Sequence, residues 1–189
     1  MSVIACEVVK TILLDKKPSI RLDESREMLF SIIPEFKKSY GFSQHNDYHI
    51  YDVYNHTLKV VDNVNPILPL RIAALYHDMG KPFTFKLDKN GIGHFYGHWV
   101  TSMAIFDKHS SDFNMLKDDI SLIRKLIYYH DLKPTKDEEI DILTSEFGND
   151  IDLLFNLKRA DVIAQNPIYK EEELGKILKL ENRCRTIKK

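Results

Sequence analysis

The sequence predicts an all-α helical bundle with one small β-hairpin. Three observations carry that expectation. Apolar residues recur at spacings of three, four and seven over most of the chain. Two-residue alternation is confined to residues 83–96. With 189 residues and 43% hydrophobic composition, the chain is long and apolar enough for one substantial core.

The elements follow in order. Residues 2–14 and 24–39 carry apolar side chains at helical spacing. In the second segment these are Leu29, Ile32, Ile33 and Phe36, and the pattern stops at Tyr40-Gly41. A polar stretch from Ser43 to Tyr51 shows little periodicity. Residues 52–64 resume it with Val53, Val60 and Val64. The next helix spans 69–78, with Pro69 at its start and Gly80 just past its end. Over 83–96, Phe83, Phe85 and Leu87 alternate, Asn90-Gly91 signals a turn, and Ile92, His94 and Tyr96 alternate again, which predicts a hairpin. Helices return over 98–109, 116–130, 136–147, 150–165 and 168–186. Repeats and low-complexity stretches are absent, so residues 1–189 are expected to form a single domain.

Composition excludes several functions. A net charge of -1 with 29% charged residues gives no basic field for duplex nucleic acid. The closing Arg183, Arg185, Lys188 and Lys189 read as a solvated helix end. The amino-terminal segment is interrupted by charge and reads as an amphipathic helix rather than a signal peptide. No apolar run reaches the roughly 20 residues that span a bilayer. The two cysteines, Cys6 and Cys184, lie far apart without metal spacing, as expected of a protein in a reducing cytoplasm.

Ionisable residues stand on the apolar side of four helices. His56 shares a stripe with Val53, Val60 and Val64. His77 follows Leu70, Ala73 and Ala74, and His130 follows Ile123, Leu126 and Ile127 in the same register. Asp161 lies with Leu154, Leu157 and Ala164. Buried polar groups are costly without partners. Each residue alone has an ordinary explanation: a hydrogen-bonded core histidine, Asp161 paired with Arg159, Asp78 beside Lys81, or His98 at a helix start. One shared cation explains them together.

The order His56, His77-Asp78, His98, His130, Asp161 resembles the HD superfamily of metal-dependent phosphohydrolases. Leu75-Tyr-His77-Asp78-Met-Gly80-Lys81-Pro82, Phe95-Tyr-Gly97-His98-Trp-Val-Thr-Ser102 and Arg159-Ala-Asp161 are similar to its successive motifs. The run Asp47-Tyr48-His49-Ile-Tyr51-Asp52-Val-Tyr-Asn-His56-Thr57 is similar to the HD domain attached to bacterial tRNA nucleotidyltransferases, the CCA-adding enzymes. The resemblance covers residues 43–165. Catalytic carboxylates of a nucleotidyltransferase head are not evident, so nucleotide addition is not expected.

The resemblance implies an HD-domain-like bundle and a divalent metal centre. His56, His77, Asp78 and Asp161 would hold one ion. His98 and His130, with Asp78 bridging, would hold a second where the centre is binuclear. Nitrogen and oxygen donors suit Mn, Fe, Co, Ni or Zn, and Mg less well. Asp78 and Lys81 are the implied catalytic residues, and Asp131, directly after His130, is a further candidate to orient a water or protonate a leaving group. Lys81 also serves the phosphate, with His49 and His94 on the substrate side. Lys81 reads equally as a solvated lysine at a helix end, and Asp131 as a helix cap. The implied reaction is hydrolysis of a phosphomonoester or phosphodiester by metal-activated water. The substrate would be a small phosphorylated molecule such as a nucleotide or a 2′,3′-cyclic phosphate, with an RNA end as another partner. The alternative is a non-catalytic nucleotide-binding sensor.

Other motifs fail on context. His45/His49 and His94/His98 have the four-residue spacing of zinc-protease helices but lack the glutamate. Gly80-Lys81 is followed by proline and lacks the upstream glycine of a P-loop.

Overall fold

Leu70, Arg71, Ile72, Ala73, Ala74, Leu75 and Tyr76 are all buried. A helix buried on every face belongs in the middle of a protein. Helix α5 (Leu68–Tyr76) takes that place. It packs against α1 (Ser2–Leu13), α4 (Val53–Asn63), α7 (His98–His109), α8 (Lys117–Tyr129) and α10 (Ile151–Ile163). The computed structural model describes residues 2–187, with side chains over 4–186. One hydrophobic cluster runs from Cys6 to Cys184 through this packing, and the fold is all-α. Among the described residues no helix is long and apolar enough to cross a membrane.

Two segments differ from the sequence expectation. The helix expected over 24–39 is broken. Helix α2 (Pro18–Glu24) precedes it, α3 (Arg26–Ile32) replaces its first half, and a 3₁₀ turn over Pro34–Ser39 its second. Pro34 is the cause, because its ring disfavours helical geometry in the preceding residue, and Ile33 lies at φ -124°, ψ 79°. Helix α2 escapes periodicity because it is short. Pro18 opens it, and Ser19 is tied through its N–H and hydroxyl to Asp62 at 3.0 and 2.6 Å.

The hairpin is smaller than expected. Phe83 stands in the short α6 (Lys81–Thr84), and only β1 (Lys86–Leu87) and β2 (Gly93–His94) pair, with Lys86 opposite His94. The Asn90-Gly91 turn lies inside the loop between them, with Gly91 at φ +79°. Asp88 closes that loop by accepting the N–H groups of Asn90 and Ile92 at 2.8 and 2.9 Å.

Helix α11 (Lys170–Ile187) packs against α10, and α9 (Asp137–Phe147) packs against α11. Arg183 pairs with Asp137, and Arg185 with Glu181 and Asp152. Lys188 and Lys189 lie outside the described residues.

Candidate metal centre

The ends of several helices meet at one point beside α5. Asp52 starts α4 by accepting the Asn55 N–H at 2.6 Å, a helix cap that fixes the register carrying His56 inward. His77 and Asp78 follow the last turn of α5 directly. His98 opens α7 after Gly97, whose φ of 72° turns the chain sharply into the helix. His130 follows α8, and Asp161 sits near the end of α10.

Gly80 is needed for space rather than for a left-handed turn. Its φ is -74°, but a Cβ there would lie 2.2 Å from the His98 carbonyl oxygen. Its N–H donates to Ser102 Oγ at 2.8 Å. Backbone therefore touches backbone, and this close approach brings α7 and its first residue against Asp78.

All four histidines share one arrangement. Nδ1 of His77, His98 and His130 faces the carbonyl oxygen three residues earlier, at 2.7, 2.9 and 2.7 Å. Nδ1 of His56 faces the carbonyl of Ala164 at 3.3 Å. A carbonyl can only accept, so Nδ1 carries the hydrogen and each neutral ring keeps a lone pair on Nε2. Backbone partners of this kind are what orient metal-binding imidazoles.

The Nε2 atoms surround Asp78. Its Oδ2 lies 3.4 Å from His56 Nε2 and 3.3 Å from His77 Nε2. Its Oδ1 lies 3.3 Å from His98 Nε2 and 3.6 Å from His130 Nε2. One carboxylate thus serves two histidine pairs, one with each oxygen. The donor atoms of His56, His77 and Asp78, and of Asp78, His98 and His130, form two groups within 4.8 Å. Asp161 stands at the edge, reaching His56 Nε2 with Oδ1 at 3.0 Å.

This chemistry fits divalent cations. His56 Nε2, His77 Nε2 and Asp78 Oδ2 are buried without a hydrogen-bond partner. His98 Nε2 and His130 Nε2 face each other at 3.2 Å. Two lone pairs at that distance repel unless a proton or cation lies with them. Asp78 is 1% exposed, so its charge cannot be left to water. Burial raises its pKa, but His77 and Lys81 outweigh that and hold it well below the usual carboxylate range. Asp161 is held down likewise, burial being outweighed by the His56 imidazole 3.0 Å away.

Lys81 is a wall of the site, not a solvated side chain. It is 6% exposed and opens α6, so it stands at that helix's amino terminus. Its ammonium lies 2.7 Å from Asp78 Oδ2 in ion-pair contact and donates to Gln44 Oε1 at 2.8 Å. His49 Nε2 is 3.4 Å away, and burial together with the Lys81 charge lowers the His49 pKa to about 2. A neutral His49 can accept from Lys81 or from a ligand.

A cleft of about 260 Å³ opens over Asp78, Lys81, His98 and His130. Asp131, His94 and His49 line it too, so every residue that the sequence singled out for substrate or proton transfer reaches its wall. His94 does so while paired with Asp88 at 3.2 Å. Arg159 does not pair with Asp161; it binds Glu181 at 2.7 Å. Three residues escaped the sequence reading. Gln44 holds Lys81, Gln165 donates to Asp161 Oδ1 at 3.2 Å, and Lys158 donates to the carbonyls of His130 and Leu132 at 2.6 and 2.7 Å. Of these only Lys158 carried a signal, as a lysine in register with Asp161 on the buried side of its helix.

The sequence model of the HD domain family matches residues 46–179. The chain is 40% identical over 78 residues to a multifunctional CCA protein of Paraburkholderia phymatum, covering 38% of this chain and 19% of that protein. Multifunctional CCA proteins of Dechloromonas aromatica and Cupriavidus metallidurans are 38% and 37% identical over 78 residues, with the same 38% and 19% coverage. The chain thus spans about a fifth of the length of the curated relatives it matches.

Proposed function

The chain belongs to the HD domain family, a family of metal-dependent hydrolases, and from that premise we propose that it hydrolyses a phosphate ester of a nucleotide at the Asp78 centre. The observation that carries the reading is the division of Asp78: each oxygen faces its own pair of imidazole lone pairs. His56, His77, Asp78 and Asp161 would hold one divalent ion, and Asp78, His98 and His130 a second. Bound there, such ions supply Lewis acidity and lower the pKa of a coordinated water towards neutrality.

The chain's own groups do the rest. Lys81, fixed by Gln44 and Asp78, offers positive charge to phosphoryl oxygens entering the cleft. Preorganised charge in a site with little water is worth far more than the same charge in solvent. Asp131, on the cleft wall, is placed to pass a proton to the departing oxygen or to orient water. His49 stays neutral and keeps Lys81 aimed inward.

The likeness to multifunctional CCA proteins supports substrates related to RNA ends, namely nucleoside monophosphates and 2′,3′-cyclic phosphates. The test is a panel of such esters with Mn, Co, Ni and Mg, read as phosphate release or ring opening. Turnover of at least one ester with at least one metal is expected. Failure across the panel, with metal demonstrably bound, would replace this reading with that of a nucleotide-binding sensor.

A further inference from the structure

The cleft beside Asp78 has an aromatic outer wall that hydrolysis itself does not require. Tyr96 is 70% exposed, yet its ring lies parallel to that of His94, 4° between planes and 5.3 Å between centroids. His94 is pinned in turn by Asp88, and Asp88 is fixed by two backbone N–H groups. Tyr96 is therefore a supported platform rather than a loose surface ring. Trp99 lines the same cleft and meets His98 edge-on at 5.4 Å. The sharp turn at Gly97 makes this possible. It lets Tyr96 and Trp99 reach the cleft while His98, between them, enters the donor cluster.

We infer that Tyr96, backed by His94, and Trp99 form the seat for the base of a mononucleotide whose phosphate faces Asp78 and Lys81. This rests on the phosphohydrolase reading above. Bases present a flat π-face, and aromatic side chains bind them by stacking with little regard to sequence. A phosphorylated sugar without a base has no π-face to stack on this aromatic wall.

The test compares adenosine 5′-monophosphate with ribose 5-phosphate, which differ by the base alone. Wild-type protein is expected to favour the former in kcat/KM. Tyr96→Ala is expected to reduce that preference by roughly tenfold, mainly through KM, and Tyr96→Phe to restore it. Trp99 is the sole tryptophan, so its emission reports binding without turnover. Adenosine should quench it in wild type, and roughly tenfold more adenosine should be needed in Tyr96→Ala. Equal treatment of the two phosphates by wild type, or an unchanged preference in Tyr96→Ala, overturns the base seat. If neither phosphate is cleaved, the adenosine titration decides the base seat alone, and the hydrolase reading is left to the wider ester panel. Quenching lost in Tyr96→Ala then supports it, and absence of quenching in wild type overturns it.

Discussion

Two groups of buried histidines differ in one respect, and the difference separates architecture from a site. His109, 6% exposed at the end of α7, has Nε2 2.8 Å from Glu35, whose carboxylate also binds Lys108. His56, His77, His98 and His130 are 0 to 3% exposed and also have a partner for Nδ1. Their Nε2 atoms, however, face one another and a single shared carboxylate. Burial is common to both groups, so burial does not mark function. What marks it is an unfinished hydrogen-bond set where an unpaired buried atom is costly. His109 Nε2 is paired with a carboxylate of its own; the other four Nε2 atoms are grouped so that a cation could complete them.

The contrast breaks most completely at Asp78. Asp78→Ala removes the one anion common to both histidine pairs. Bound metal, one or two ions per chain by elemental analysis in wild type, is expected to fall to none. Hydrolysis should drop by at least about a thousandfold. Helical circular dichroism should persist, because the core lies around α5 rather than at the centre. A variant that keeps its metal and its turnover would show that the two groups of histidines do not differ as described.

Metal linkage sharpens the same contrast without a mutation. A ligand that binds only the folded state at a hundred times its Kd adds about 2.7 kcal/mol of stability. Titrating Mn into chelator-stripped protein is expected to raise Tm accordingly. An unchanged Tm up to millimolar metal would mean that the Nε2 atoms are not donors.

Periodicity shows which residues point inward, and on helices that signal is local. His56, His77, His130 and Asp161 were therefore legible from the spacing of their apolar neighbours. It does not show what they meet. Gln44 comes from a segment without periodicity and reaches Lys81 across 37 residues. The break at Ile33 was written in Pro34, but the apolar register continuing through Phe36 masked it. Phe83 was misread as strand because period-two alternation over so few residues also fits a single turn of helix followed by a loop. His109 passed unnoticed, since its partner Glu35 lies 74 residues away.

A smaller effect is expected at Lys158, which joins the two halves of the centre. It stands one turn before Asp161 on α10 and donates to the carbonyls of His130 and Leu132. Burial lowers its pKa to about 8, so at neutral pH it is largely charged and a strong donor. Lys158→Met keeps the aliphatic stem but leaves two carbonyls without their donor, at a cost of about 1–3 kcal/mol in urea unfolding. It also frees the turn behind His130, and metal affinity should fall about tenfold or more, as for other residues that orient ligands. Lost stability with unchanged metal affinity would make Lys158 a core residue like any other.

The smallest change expected is at Glu35, and it tests the finished side of the comparison. Burial raises the Glu35 pKa, but hydrogen bonds from Lys108 and His109 outweigh it and bring it down to about 2. A carboxylate depressed in the folded state stabilises it above the ordinary value of 4.5, and that stability disappears as pH falls towards 2. After allowance for solvent screening the contribution is about 1 kcal/mol. Wild type should therefore exceed Glu35→Gln by that amount at pH 7, and the gap should close between pH 4.5 and about 2 in thermal melts. Metal content should match wild type, because the pair shares no atom with the Asp78 cluster. Metal loss in Glu35→Gln would mean that the two groups of histidines are energetically one, joined along α7 from His98 to His109, and that completing one depends on the other.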